Sequence, residues 1–393
     1  MSVPGWLLQR LVAAGGAVPF RTVMEWALHD PEHGAYGSGR LRIGPHGDFA
    51  TAPSLGPDFA ALLAAQLADW LQQLDPALPG QRPLALVEAG PGEGSLAADL
   101  AAALAAGWPE LAARIELVLV EPNGGMAQRQ RQRLAGCPLP CRWASFAELA
   151  DAPLRGVLLA HEVLDALAVE RIAWDGALWR QQQVVLHGGA GGAEPSLRLE
   201  PGEPLQPATG EALQALALLP PSPQRPPGWC TELHPGLEPW LGQAAAALSA
   251  GALLVIDYAL EAWRYYAPSR ADGTLMAYRQ QRASGDPLQK PGHCDLTAHL
   301  CIEQLQAAAQ ASGWSPIGGC RQGEALLALG LAQRLHGLQE GATPERLPEL
   351  LGRREALLRR VDPHALGDFR WLAFARGARG AADPIPAFLS PPP

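Results

Sequence analysis

Leu84-Ala85-Leu86-Val87-Glu88-Ala89-Gly90-Pro91-Gly92-Glu93-Gly94-Ser95-Leu96 runs from an apolar stretch, through three glycines at alternate positions, into an Ala- and Leu-rich segment. An apolar run bounded by glycines reads as a buried strand of a parallel sheet, and the segment from Leu96 reads as the helix that follows. Glycine at such a turn lets the backbone take positive φ and lets a ligand lie against it with no Cβ between them. The spacing is G-x-G-x-G, whereas a dinucleotide fingerprint is G-x-G-x-x-G with its helix start aimed at a pyrophosphate. Glu88, two residues before the first glycine, would repel a pyrophosphate but suits a cationic amino-acid group. S-adenosylmethionine carries an ammonium and a sulfonium and has no phosphate, so it fits. A tight strand-to-helix turn without a ligand is the alternative.

The next apolar run, 115–120, ends in Glu121-Pro122-Asn123. A carboxylate at the end of the second strand is where an α/β nucleoside site holds ribose hydroxyls, because it can accept from both. Glu121 follows Gly90 by about thirty residues rather than the usual ~20, and a helix of about five turns over 96–114 accounts for the excess. An ordinary acid near a helix start is the other reading of Glu121.

Beyond this core, helical spacing covers 59–71, and strands at 84–88, 115–120, 139–143, 157–160 and 252–256 alternate with helices. That pattern predicts a doubly wound α/β sheet. Trp174-Asp175-Gly176-Ala177-Leu178-Trp179 reads as a hairpin. The Gly/Pro-rich stretches 188–207 and 220–228 and the segment 262–297 read as irregular. Helix at 300–312, strand at 314–320, helices at 324–339 and 344–361 and a last strand at 369–375 complete the domain. The expected layout is a helical and loop extension over 1–80 that contributes to the cofactor site, a catalytic domain over 81–377 with insertions at about 169–230 and 262–297, and a flexible tail over 378–393.

Apolar residues make up 48 % and charged residues 18 % of the 393, a globular balance. A net charge of -9 without a basic cluster disfavours a nucleic-acid partner. Six cysteines without a C-x-x-C pair signal neither a zinc ribbon nor a redox motif, and read as buried thiols in a reducing compartment. No metal site is expected. No secretory leader or membrane span is evident, which points to a cytoplasmic protein.

In open parallel sheets ligands lie beyond the carboxyl ends of the strands. The fourth strand runs into His161-Glu162-Val163-Leu164-Asp165, so His161, Glu162 and Asp165 belong at that edge. Two acids three apart share a helical face and make a polar mouth beside the cofactor, unless they serve only the helix dipole. Asp257 and Tyr258 end the fifth strand and are candidates for substrate binding, although an Asp there can simply close the turn. The loop with Asp48 and Thr51 either folds over the cofactor or is an exposed connection. Pro122, Ser145, Phe146 and His161 complete the candidate cofactor set with Glu88, Gly90, Gly92, Gly94, Glu121, Asp48 and Thr51.

The run 87–96 resembles motif I of class I S-adenosylmethionine-dependent methyltransferases. The chain as a whole resembles the MidA-type family, which includes the mitochondrial complex I assembly methyltransferases and their bacterial relatives. Carrying that likeness are Ala27-Leu28-His29-Asp30-Pro31-Glu32-His33-Gly34-Ala35-Tyr36, Gly47-Asp48-Phe49-x-Thr51, Val120-Glu121-Pro122 and Glu162-x-x-Asp165-Ala166-Leu167. It continues through Leu254-Val255-Ile256-Asp257-Tyr258, Gly273-Thr274-Leu275-Met276-Ala277-Tyr278-Arg279, Asp286-Pro287-Leu288, Asp295-Leu296-Thr297-Ala298-His299 and Val361-Asp362-Pro363-His364-Ala365-Leu366-Gly367. The resemblance implies a seven-stranded, mostly parallel, Rossmann-like sheet with an inserted substrate-side region. It also implies symmetric dimethylation of an arginine on a respiratory complex I subunit, hence a protein partner, and it leaves homodimerisation open. Carried over by position, Glu88, Gly90, Gly92, Gly94 and Glu121 hold the cofactor while Glu162 and Asp165 face the acceptor as catalytic carboxylates.

The chain departs from the family pattern at His161, where an Asn is usual, at Ala168, and at Ala52-Pro53-Ser54, where an acid is lost. These changes bear on the acceptor and on turnover rather than on the cofactor. Three rival readings remain: a small-molecule methyltransferase, an assembly factor that binds the cofactor without turnover, and a nicotinamide oxidoreductase, which the glycine spacing disfavours.

Overall fold

The computed structural model describes residues 3–44, 47–48, 51–74, 83–188, 194–215, 224–340, 343–377 and 384–392. Its centre is a seven-stranded sheet of β1 (Leu84–Ala89), β2 (Ile115–Val120), β3 (Cys141–Trp143), β4 (Leu154–His161), β5 (Leu248–Asp257), β6 (Ser315–Arg321) and β7 (Arg370–Arg376). The strand order is β3-β2-β1-β4-β5-β7-β6. Strands β3, β2, β1, β4 and β5 are mutually parallel, and β7 runs antiparallel to both β5 and β6. Every residue of β1 is buried, as expected of a central strand covered on both faces.

Alternate side chains of β1 feed two cores. Leu84 and Leu86 join the helices Asp58–Gln73 and Ser95–Gly107 on one face, while Ala85, Val87 and Ala89 meet the helices Phe146–Asp151 and Leu237–Ala247 on the other. The chain order reverses beside β1, so its carboxyl end and that of β4 border a crevice suited to a ligand.

Several elements differ from the sequence reading. The helix expected over 96–114 stops at Gly107, and a separate turn of helix, Pro109–Ala112, follows. Trp108 lies at φ −138°, ψ 64°, because a residue before proline is pushed out of the helical region. The stretch expected over 324–339 is two helices, Gln322–Ala328 and Leu331–Glu340, parted at Gly330 with φ +94°.

The hairpin at 174–179 is present, joining Glu170–Trp174 to Trp179–His187. The stretch expected to be irregular from 188 onward contains a strand, Ser196–Pro204, paired with Trp179–His187; residues 189–193 and 216–223 lie outside the described set. The short strand Ala17–Pro19 pairs with the other edge of Trp179–His187, and Cys230–Leu233 pairs with Glu170–Trp174. The amino-terminal extension is therefore not only helix and loop: it builds one five-stranded sheet with the first insertion. Within 262–297, Met276–Arg279, Arg282–Ser284 and Asp295–Thr297 form a small antiparallel sheet.

Part of the tail is also ordered, contrary to expectation. Phe388 is 1 % exposed, packs edge-on against Trp70 and contacts Trp371, and its N–H donates to Gln66 Oε1 at 3.1 Å. A ring that removes this much apolar surface from water holds its segment down; residues 378–383 and 393 lie outside the described set.

Candidate active site

Beyond the carboxyl ends of β1, β2 and β4 lies a cavity of about 860 Å³. Glu88, Gly90, Gly92, Glu121, Pro122, Ser145, Phe146, His161, Glu162 and Thr51 are on its wall. Gly90 and Gly92 have φ of +60° and +53°, and a Cβ on either would meet Val163 Cγ2 at 2.8 Å or Ile43 Cδ1 at 2.9 Å. The turn needs glycine both for its backbone and for its neighbours. Gly94, at φ +76°, caps the following helix and is not on the wall.

Glu88 is buried, and burial pushes its carboxyl up to about 8. Its Oε2 has no hydrogen-bond partner, which is costly unless a donor or cation completes it. Glu121 is better supported: Oε1 accepts from the Asn123 N–H at 2.9 Å and Oε2 from Gln130 Nε2 at 2.9 Å. Burial raises its pKa, partly offset by those bonds and by nearby Arg129.

Gln130, which sequence reading did not single out, ties this edge together. Its amide also donates to the Gly92 carbonyl at 2.8 Å, and its Oε1 accepts from the Trp143 indole at 2.9 Å. Ser145 caps the helix Phe146–Asp151. The Phe146 ring meets Trp240 edge to face at 5.5 Å, giving the cavity an aromatic end. Trp240 was also missed, since it sits alone on a helix remote from the glycine turn.

Glu162 stands in the left-handed region at φ +53°, a conformation that costs a non-glycine residue about 1–3 kcal/mol and concentrates at functional sites. Its N–H donates to the Ile256 carbonyl at 2.9 Å. Its Oε1 has no hydrogen-bond partner, and burial, then Asp257 and Asp295, raise its pKa well above the usual range. The Ala52 backbone N–H opposes that rise, so the loss of an acidic side chain around 52–54 leaves this support in place. Arg360, fully buried, holds the same turn by donating to the Ala52 carbonyl from Nε at 3.1 Å and to the Gly56 carbonyl from Nη2 at 2.9 Å. The buried His161 lies with Nδ1 3.4 Å from Glu162 Oε1, and desolvation lowers its pKa to about 3, so it is neutral.

Asp165 is buried behind the cavity wall rather than on it. Burial, then Asp257, Asp295 and Glu162, raise its pKa strongly. Tyr36 is on the wall and donates to Asp295 at 2.9 Å, so segments about 260 residues apart meet at one acidic patch.

Three sequence candidates have other tasks. Asp257 is fully buried, and Oδ2 accepts the N–H groups of Val163, Leu164 and Asp165 at 3.3, 3.0 and 3.3 Å while Oδ1 accepts that of Tyr258. It closes the turn after β4 and leaves no carboxylate face for a substrate. Tyr258 is off the wall, its ring tilted by 47° against Phe369 with centroids 4.0 Å apart and lying beside His299. Asp48 is also off the wall: its carboxylate accepts from the Arg42 and Gln280 N–H groups, and its carbonyl from the Gln281 N–H, pinning the loop to the small sheet. Pro45, His46, Phe49 and Ala50 of that loop lie outside the described residues. Among the described residues no group of acids, histidines or cysteines could hold a metal ion, and no helix is long and apolar enough to cross a membrane.

Comparison with known proteins agrees with this geometry. A family of S-adenosyl-L-methionine-dependent methyltransferases matches residues 62–320. A COG1565 superfamily member from Burkholderia thailandensis, crystallised with S-adenosyl-homocysteine, superposes with a TM-score of 0.82 at 30 % identity, covering 100 % of this chain and 99 % of the other. The Drosophila melanogaster protein arginine methyltransferase NDUFAF7 homolog, mitochondrial, is 27 % identical over 95 % of this chain and 85 % of its own length. The Xenopus tropicalis protein arginine methyltransferase NDUFAF7 is 25 % identical over 84 % and 76 %. An unpartnered buried carboxylate at the glycine turn, an acid at the end of β2 and an aromatic end are what an ammonium, a ribose and an adenine require. The chain belongs to the MidA-type family of S-adenosyl-L-methionine-dependent methyltransferases.

Proposed function

We propose that this enzyme is a protein-arginine N-methyltransferase whose acceptor is a subunit of a complex I-type respiratory enzyme. Support comes from the arginine methyltransferase names of its relatives and from the acidic patch. The observation that carries the proposal is Glu162, a strained acid on the cavity wall whose buried Oε1 has no hydrogen-bond partner.

Bound S-adenosyl-L-methionine supplies an electrophilic methyl on a sulfonium. Glu88 would accept from its ammonium and Glu121 from its ribose, and Phe146 with Trp240 would pack on its adenine. A guanidinium with pKa above 12 is a poor nucleophile. Carboxylates that grip two of its nitrogens hold positive charge there and free the lone pair of the third. Glu162 makes that grip, the arriving guanidinium favouring its ionised form, with Asp165 behind it, and the raised pKa of Glu162 suits it to take the proton the guanidinium gives up. The net negative chain draws in a basic peptide segment.

The test is mass spectrometry of arginines after incubating the enzyme and S-adenosyl-L-methionine with lysate from a deletion strain. A dimethylated arginine on a large polypeptide is expected. Methyl label confined to small molecules, or no transfer despite cofactor binding, contradicts the proposal and favours one of the two methyltransferase-fold rivals.

A further inference from the structure

A second cavity, of about 260 Å³, lies between the helices Leu331–Glu340 and Leu347–Arg359. Its wall is made of Arg334, Gly337, Leu338, Arg346, Leu350 and Arg353. Half of that wall is arginine, and among the described residues no acid is on it. Guanidiniums that converge on one small cavity repel one another unless an anion sits between them. Arg346 is also the N-cap residue of the helix Leu347–Arg359, and no side chain caps that helix, so its partial positive charge adds to theirs.

Two of the three arginines are held in place. Asp58, 1 % exposed behind the wall, accepts from Arg334 Nε at 2.6 Å and from Arg353 Nε and Nη2 at 2.9 and 2.7 Å. Burial works against the charge on Asp58, but these hydrogen bonds hold its carboxyl below the ordinary value, so the clamp stays ionic. The clamp uses neither Nη of Arg334. Arg346 and Nη1 of Arg353 reach only Glu349, each at 3.7 Å, which is longer than a hydrogen bond. Gly337 keeps its part of the wall open, since a Cβ there would meet nothing within 4 Å.

We propose that this arginine cavity binds a phosphate-type oxyanion, free or as the head of a small phosphate ester. A tetrahedral oxyanion offers acceptor oxygens in several directions, which guanidiniums arriving from two helices can meet, and the planar fork of arginine suits phosphate. The clamp on Asp58 fixes two of the side chains beforehand and so lowers the cost of ordering them. A nucleobase finds no stacking partner, because no aromatic ring is among the described wall residues. The bound anion bridges the two helices.

The probe is inorganic phosphate, titrated by calorimetry into the full chain at constant ionic strength, with glycerol phosphate and acetate as parallel arms. Saturable one-to-one binding of phosphate is expected, together with a rise in melting temperature. Acetate, which is planar, is expected to bind more weakly. Arg346→Gln changes a half-exposed side chain that takes no part in the Asp58 clamp, and it is expected to weaken phosphate binding about tenfold, the worth of a hydrogen bond to a charged group. Arg354→Gln, exposed on the same helix but off the wall, is expected to leave the affinity unchanged. Tighter binding of glycerol phosphate than of phosphate assigns the site to an ester, and the reverse assigns it to the free ion. Phosphate that gives neither saturable heat nor a higher melting temperature overturns the proposal. So does binding that acetate matches, that Arg346→Gln leaves intact, or that Arg354→Gln weakens equally.

Discussion

Glu162 shows how a single residue trades stability for chemistry. Its left-handed backbone and buried, half-partnered carboxylate both work against folding, so selection has kept them for another reason. Glu162→Gly is expected to raise stability by about 1 kcal/mol in chemical denaturation while abolishing methyl transfer. Glu162→Gln keeps the shape and loses the charge; transfer should fall by at least about a hundredfold, the scale set for a lost general base, while cofactor affinity changes less than about twofold. Retained turnover in Glu162→Gln would remove the residue from catalysis. The position of Glu162 was legible in the sequence as an acid at the end of a strand. Its strain was not, since positive φ in a non-glycine residue leaves no mark in composition.

At the scale of elements, turns are held by buried polar side chains rather than by loop composition. Asp257 gathers four backbone N–H groups, and Asp257→Ala would orphan them in a buried site. A loss of about 3 kcal/mol is expected in urea unfolding, with Asp257→Asn recovering part of it through its remaining acceptor; an unchanged midpoint would contradict the closing role. Residues 384–392 behave as an element too. Phe388→Ala should cost about 3–5 kcal/mol, measurable as a lower melting temperature, and a tail that is free would show none.

The central strands of the large sheet, β1, β2, β4 and β5, were legible because each contains a short apolar run next to glycine or an acid. The strand Ser196–Pro204 was not. It is an edge strand with two prolines and a glycine, the composition by which exposed edges avoid pairing with other chains and which reads as loop. Gln130 and Trp240 stayed hidden for a related reason: each lies on a helix that reaches the site only through the packing of that helix on the sheet, and nothing in their local spacing announces it.

Taken as a whole, the molecule buries an unusual stock of protons. Glu88 sits at about 8 and Asp257 and Asp295 at about 7, all raised above their unfolded values by desolvation. Acids raised in the folded state stabilise it most below their unfolded pKa near 4, and that contribution is lost as pH climbs through the folded values. The ligand-free protein should therefore melt several degrees lower at pH 8 than at pH 5 by differential scanning calorimetry. The cofactor reverses part of this, because its ammonium favours the ionised form of Glu88 and so expels the proton held there. The most direct measurement is calorimetric titration of S-adenosyl-L-methionine at about pH 6.5 in two buffers of different ionisation enthalpy, the pH being set about one and a half units below the Glu88 value of about 8. One-to-one binding with release of close to one proton is expected, and Glu88→Gln should weaken binding by about ten- to a hundredfold and abolish the release. Absence of binding heat, or binding that moves no proton and is indifferent to Glu88→Gln, would contradict a carboxylate held in reserve for the cofactor's cation.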